Sequence, residues 1–240
     1  SFSYAPEIIA RGGDWFKSIG QEKCTGTTII CLSGDVKYPG MYEVPMGMKL
    51  GKVVEEIGGG TPSGKDVKMI QLGGPLGHIL GKDSLEYNLD FDDMKQHGAM
   101  LGSGGVIVGD DTKCAVDLAR LLVGFCQYES CGKCFPCRLG MSQLLELIER
   151  ISANEANSKD VEVMNRIGGS MEAGSLCFHG QLGYNPLRSA IENFPDDFQS
   201  HLEDKKCPSG SCDTRLIAPR NTRTFGEEHR LELVRLGKIK

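Results

Sequence analysis

Three thiols in one short loop restrict this chain more than any other feature. Ser130-Cys131-Gly132-Lys133-Cys134-Phe135-Pro136-Cys137 places cysteines at C-x2-C-x2-C, and Cys177 follows as a remote fourth. That spacing lets one loop wrap three irons of a cubane and leaves the last iron for a distant ligand. Zinc is the rival occupant, but structural zinc sites usually draw their ligands from two separated pairs. Four buried, unliganded cysteines are the plainest alternative, and Gly132 and Pro136 shape a loop with few apolar neighbours to bury them. A cubane gains negative charge on reduction, so nearby cations and N–H donors raise its potential. Lys133, Arg138 and the dipole of a helix starting near Arg138 have that sign, although both cations serve equally well as solvated surface charges.

The rest of the composition narrows the class. The 240 residues suggest one large unit or two to three small ones, and 40% hydrophobic with 25% charged residues is ordinary for a globular protein. With 27 basic against 32 acidic residues, the net charge of −5 lacks the footprint of a nucleic-acid binder. No run approaches the roughly 18 apolar residues that span a bilayer; the longest, Leu118 to Phe125, is broken by Arg120 and Gly124. A soluble chain without direct membrane insertion is therefore expected. Ten cysteines in a chain of this size, with no export signal, favour metal chemistry over a disulfide framework. The chain starts without Met and reads as a fragment or a processed product.

Along the chain, Pro6 to Gly13 predicts a short helix, after which Asp14-Trp15-Phe16 leads into a loop. The β-branched run Thr28 to Gly34, the turn Tyr38-Pro39-Gly40 and Met41 to Val44 predict a hairpin. Leu50, Val53, Val54 and Ile57 recur at helical spacing, and Val67 to Leu72 reads as a strand, giving a β-β-α-β order that suggests a β-grasp unit. A Gly-rich strand follows at residues 102–109. Asp110-Asp111-Thr112 then offers side-chain acceptors for a helix over Lys113 to Tyr128. Further helices are expected around Met141 to Ile151, at Val161 to Ile167 closing on Gly168-Gly169, and from Pro186. The fold class is α+β: a small β-grasp domain followed by a helical bundle that carries the cysteine loop.

A second metal site is open to the C-x4-C loop Cys207 to Cys212 with His201, taking Cys126 or His179 as fourth ligand; the site suits Zn²⁺, while a disulfide or free thiols are the alternatives. Cys24, Cys31 and Cys114 lack metal-like spacing and read as small buried hydrophobes. Gly73 to Gly77 and Gly102 to Gly105 match neither nucleotide-loop pattern and read as turns. The tail from Arg215 to Lys240 is a docking arm or a solvated end.

Glu129-Ser130-Cys131-Gly132-Lys133-Cys134-Phe135-Pro136-Cys137-Arg138-Leu139-Gly140, with Gly174-Ser175-Leu176-Cys177, resembles the signature of the NADH-oxidising flavoprotein subunit of respiratory complex I and its relatives in NAD-dependent hydrogenases and formate dehydrogenases. Asp14-Trp15-Phe16, Ser33-Gly34-Asp35-Val36 and Tyr42-Glu43-Val44-Pro45 look like the SLBB β-grasp segment of the same subunit. The resemblance implies domains at 1–26 (helix and linker), 27–109 (SLBB), 110–205 (cluster-binding bundle) and 206–240 (extension). It implies a [4Fe-4S] cluster on Cys131, Cys134, Cys137 and Cys177 that takes electrons from FMN reduced by NADH and passes them to a partner iron–sulfur subunit. The FMN and NAD sites belong, on this resemblance, to an upstream domain that precedes this segment. The expected partners are a thioredoxin-like 2Fe-2S subunit and a further iron–sulfur subunit. The expected location is cytoplasmic or peripheral on the cytoplasmic side of a membrane complex. The rival class is a zinc-stabilised interaction module without redox activity.

Overall fold

β-Branched residues at alternating positions build the first sheet. In β3 (Thr27–Gly34), Ile30 and Leu32 are buried while Ile29 and Cys31 face out, the period-two pattern of a sheet covered on one side. The exposure of Cys31 corrects its reading as a buried hydrophobe, since its parity places it opposite the core residues. The structure, a computed structural model, describes residues 2–212, so the tail from Arg215 lies outside the described residues. It divides into two units, Ser1–Asp111 and Thr112–Lys240.

In the first unit, helices α1 (Ala5–Arg11) and α2 (Gly13–Lys17) precede a two-stranded ribbon of β1 (Gly20–Gln21) and β2 (Cys24–Thr25). The segment Asp14-Trp15-Phe16 is thus helical, not the start of a loop, and the Arg11 guanidinium lies over the Trp15 ring at 4.8 Å. Strand β3 pairs antiparallel with β4 (Gly40–Pro45). β5 (Val67–Leu72) pairs antiparallel with β6 (His78–Gly81) and, on its other side, with β7 (Gly105–Asp110). β7 runs parallel to β3, so the order is β4-β3-β7-β5-β6. The Gly34 position, at φ +85°, would bring a Cβ to 2.2 Å from the Val108 carbonyl, so the parallel pair closes only over glycine. The expected helix around Leu50 to Ile57 is wound wider, as a π-helix over Lys52–Ile57, with the Gly58 N–H bonded to the Val53 carbonyl. Leu50, Val53 and Val54 still reach the core beneath the sheet. A short α3 (Phe91–Gln96) is capped by Asp90.

The second unit is helical: α4 (Ala115–Tyr128), α5 (Phe135–Ser152), α6 (Ser158–Gly174), α7 (Phe178–Leu182), α8 (Asn185–Asn193) and α9 (Pro195–Leu202). Helix α4 starts two residues later than expected, with Cys114 in the N-cap position in place of Asp110 to Thr112. Its N-cap is Cys114 without a side-chain bond, and the Ala115 N–H is taken at 2.8 Å by the Asp197 carboxylate of α9, a buried residue far along the chain. Helix α6 does not stop at Gly168-Gly169. It starts from an Asn157–Asp160 capping box and runs on to Gly174, because Gly168 lets the buried Tyr184 ring lie directly on the helix. Among the described residues, no helix is long and apolar enough to cross a membrane.

Candidate metal centre

Helix α5 begins earlier than expected. Cys134 is its N-cap in extended backbone conformation, and Pro136 sits in the first turn, where its missing N–H costs nothing. The C-x2-C-x2-C loop therefore spans a helix start: Cys131 is exposed, Cys134 half-buried and Cys137 buried within the first turn. Gly132 turns the chain at φ +72°, and Arg138, from the next turn, donates through Nη1 to the Gly132 carbonyl at 2.8 Å. That contact gives Arg138 a loop-closing role that simple surface solvation would not.

The remote Cys177 is exposed at the N-cap of α7. Its loop meets the first loop directly, since the Leu176 N–H points at Cys134 Sγ at 3.4 Å. The Ser130 hydroxyl lies 3.4 Å from Cys137 Sγ. Ser175 is buried, and its Oγ has no hydrogen-bond partner among the described residues. A Cβ on Gly180 would stand 2.4 Å from that Oγ and 3.0 Å from Cys137 Cβ, so the orphan hydroxyl and Cys137 share one small space. A buried hydroxyl is costly unless something accepts from it, and a sulfur-rich anionic group beside Cys137 provides an acceptor. The donor set thus fits an iron–sulfur cluster: thiols, one N–H directed at sulfur and an unspent O–H. Phe135, Leu176 and Phe178 flank these cysteines, and all three are exposed.

Cys126 stays in α4, buried near Cys137, and burial followed by the charge of Cys137 pushes its thiol up to about 12. Its carbonyl accepts from His179 Nε2 at 2.8 Å. Neither Cys126 nor His179 joins His201. Instead the structure gathers Cys114, His201, Cys207 and Cys212, with one ligand atom from each and all four atoms within 4.8 Å of one another. Cys114 was invisible to spacing arguments because it reaches this group only through the fold. Burial opposes ionisation of Cys207, but the Ser209 hydroxyl and backbone N–H groups outweigh it and bring the thiol down to about 6. The Cys212 contact and then burial push Cys114 the other way.

Residues 117–201 match the NADH-ubiquinone oxidoreductase-F iron-sulfur binding region, and residues 29–80 match the SLBB domain. The chain thus carries an SLBB domain followed by that iron–sulfur binding region. It is 36% identical over 216 residues to HndC, a subunit of the NADP-reducing hydrogenase of Solidesulfovibrio fructosivorans, covering 90% of this chain and 44% of that one. It is 39% identical over 203 residues to the F 2 component of the NADH-quinone oxidoreductase of Rhizobium meliloti (strain 1021), covering 85% and 48%. The chain therefore spans a little under half the length of these relatives. A solved NAD+-reducing [NiFe]-hydrogenase in the H2-reduced state superposes with a TM-score of 0.75 at 28% identity, covering 98% of this chain and 37% of that one. The air-oxidized state of an NAD+-reducing [NiFe]-hydrogenase gives 0.74 at 30% identity over 82% of this chain and 33% of its own.

Proposed function

We propose that this chain is the electron-relay half of one component of an NAD-linked oxidoreductase. Cys131, Cys134, Cys137 and Cys177 hold a [4Fe-4S] cluster that accepts electrons originating from NADH through FMN. The observation that carries the proposal is the Leu176 N–H directed at Cys134 Sγ, which joins the Cys177 loop to the three-cysteine loop, beside the orphan Ser175 hydroxyl. When bound, such a cluster supplies one-electron storage.

The chain's own residues do the rest. Cys134 and Cys137 start α5, an 18-residue helix whose N-terminal dipole favours anionic ligands there. The Leu176 N–H donates to Cys134 Sγ, and the Ser130 hydroxyl beside Cys137 Sγ and the buried Ser175 hydroxyl are available to donate to a bound cluster, which would favour the more negative, reduced state. Burial of Cys137 against Gly180 keeps water from one side. Exposed Phe135, Leu176 and Phe178 leave the other side apolar, with the Arg138 guanidinium 5.9 Å from the Phe135 ring, as suits a face covered by the flavin-bearing part of a full-length protein. The partners are a thioredoxin-like 2Fe-2S subunit and a further iron–sulfur subunit, on the cytoplasmic side. The names of the relatives, an NADP-reducing hydrogenase component and an NADH-quinone oxidoreductase component, support the reaction class.

The test is oxygen-free purification of the full chain with iron, sulfide, visible absorbance and reduced-state EPR measured together. The expected result is a brown protein carrying a reducible cubane that Cys177→Ser loses or converts. A colourless, folded chain with zinc but no sulfide refutes the relay.

A further inference from the structure

We infer that His179 is a positioning residue: its imidazole seats the short helix α7 on the end of α4 and so holds Cys177 within reach of the three-cysteine loop. The purpose of that hold rests on the reading of Cys131, Cys134, Cys137 and Cys177 as cluster ligands. Its physical basis does not.

Helix α7 depends on its neighbours. It has five residues, Phe178–Leu182, and its N-cap Cys177 makes no side-chain bond. A helix this short is not stable alone in water, because nucleation is unfavourable and tertiary packing must supply the balance. Cys177 itself is exposed and gains no placement from burial. Against α5, the short helix presents glycines: a Cβ on Gly183 would run into the Met141 side chain, and one on Gly180 would stand 3.0 Å from Cys137 Cβ. Glycine lets the helices approach closely but offers no directed bond to fix the rotation of α7.

Against α4 the contact is directed. His179 Nε2 donates to the Cys126 main-chain carbonyl at 2.8 Å, across 53 positions of sequence. A carbonyl oxygen only accepts, so Nε2 carries the hydrogen. Cys126 lies in the last turn of α4, where carbonyls run out of intrahelical donors. The Ser130 N–H, which a continuing helix would give to Cys126, goes to the Gln127 carbonyl at 3.3 Å. The half-buried imidazole supplies a donor at that point. Cys126 precedes the loop cysteine Cys131, and His179 follows Cys177 by one residue between them. One bond therefore joins the entry of the three-cysteine loop to the segment that carries the remote thiol. Gln181 Nε2 donates to the Ser175 carbonyl at 2.9 Å, which shapes the Cys177 loop from within, whereas His179 ties it to another helix. The Leu176 N–H, 3.4 Å from Cys134 Sγ, is where the hold is felt.

The experiment uses the full chain, purified without oxygen. It compares His179→Phe, which keeps a flat ring without a donor, with His179→Gln, whose amide nitrogen reaches about as far as Nε2 and donates. The first readout is hydrogen–deuterium exchange by mass spectrometry, which needs no cluster. His179→Phe should speed exchange at residues 175–183 by about tenfold, leave residues 27–110 unchanged, and be rescued by His179→Gln. The second readout is the metal centre. His179→Phe should release iron to a chelator about tenfold faster and, on mild oxidation, show the EPR signal of a three-iron cluster, with His179→Gln again close to wild type. Wild-type exchange at residues 175–183 in His179→Phe overturns the inference. So does His179→Gln as defective as His179→Phe, acceleration spread evenly from α4 to α9, or faster exchange in a cluster-bearing chain whose iron release is unchanged. Should His179→Phe not fold, His179→Asn, whose amide is too short to span the gap, takes its place against His179→Gln under the same criteria. A wild-type chain without iron and sulfide refutes the relay alone, and the exchange comparison still decides whether His179 seats α7.

Discussion

Asp197 links two helices whose sequence positions give no hint that they meet, and removing its carboxylate tests that link. The Asp197 side chain is 6% exposed and accepts the Ala115 N–H at 2.8 Å, satisfying one of the orphan donors at the start of α4. A hydrogen bond to a charged group contributes about 1.5–3 kcal/mol, and losing an N-cap acceptor costs about 1 kcal/mol in typical cases. Asp197→Ala should therefore destabilise the helical unit by about 2 kcal/mol. Asp197→Asn keeps an acceptor in place but loses the charge, and should cost about 1 kcal/mol. For a chain of this length, each kcal/mol moves the midpoint by about 2–4 °C, so the alanine variant should melt roughly 4–8 °C lower. Urea unfolding followed by far-ultraviolet circular dichroism measures both variants. An alanine variant within about 0.5 kcal/mol of wild type, or an asparagine variant as damaged as alanine, would refute the capping argument.

Three other expectations follow from individual contacts. Ser175→Ala removes a donor beside Cys137, and at about 1 kcal/mol for that bond should lower a one-electron midpoint potential by about 40 mV in a redox titration; an unchanged potential would show that the hydroxyl points elsewhere. Gly168→Ala drives a Cβ to 2.1 Å from the Tyr184 ring, an overpacking that should cost about 1–3 kcal/mol in denaturant titration, and a neutral result would mean that the helices slide apart freely. Burial raises the Tyr184 hydroxyl from its usual value of about 10 to about 12, so its neutral form is favoured in the folded state. The stabilisation is complete below pH 10 and is lost as pH rises toward 12, with a slope of at most about 1.4 kcal/mol per pH unit. Tyr184→Phe should flatten the alkaline stability profile, and equal slopes for both proteins would contradict the burial argument.

The two cysteine groups have different relations to the helices around them. The loop group sits where α5 and α7 begin, with Cys131 and Cys177 exposed. The Cys114–His201 group holds a fully buried imidazole and anchors the other end of α4. Helix α4 thus runs between the two, so its stability bears on both.

What local sequence determines here is whatever depends on neighbours a few residues apart. The three thiols of Cys131 to Cys137 lie within one turn-and-helix segment, so their spacing alone announces a metal loop. The β-branched run of β3, with its Tyr38-Pro39-Gly40 turn, announces a hairpin for the same reason. Tertiary structure decided what depends on residues that are distant in the chain. Cys114 and His201 are 87 positions apart, and Ala115 and its capping carboxylate 82, so no periodicity could pair them. The continuation of α6 through Gly168-Gly169 has the same origin. Glycine weakens a helix by its freedom in the unfolded chain, but here the Tyr184 ring fills the space that a side chain would occupy, and packing outweighs propensity.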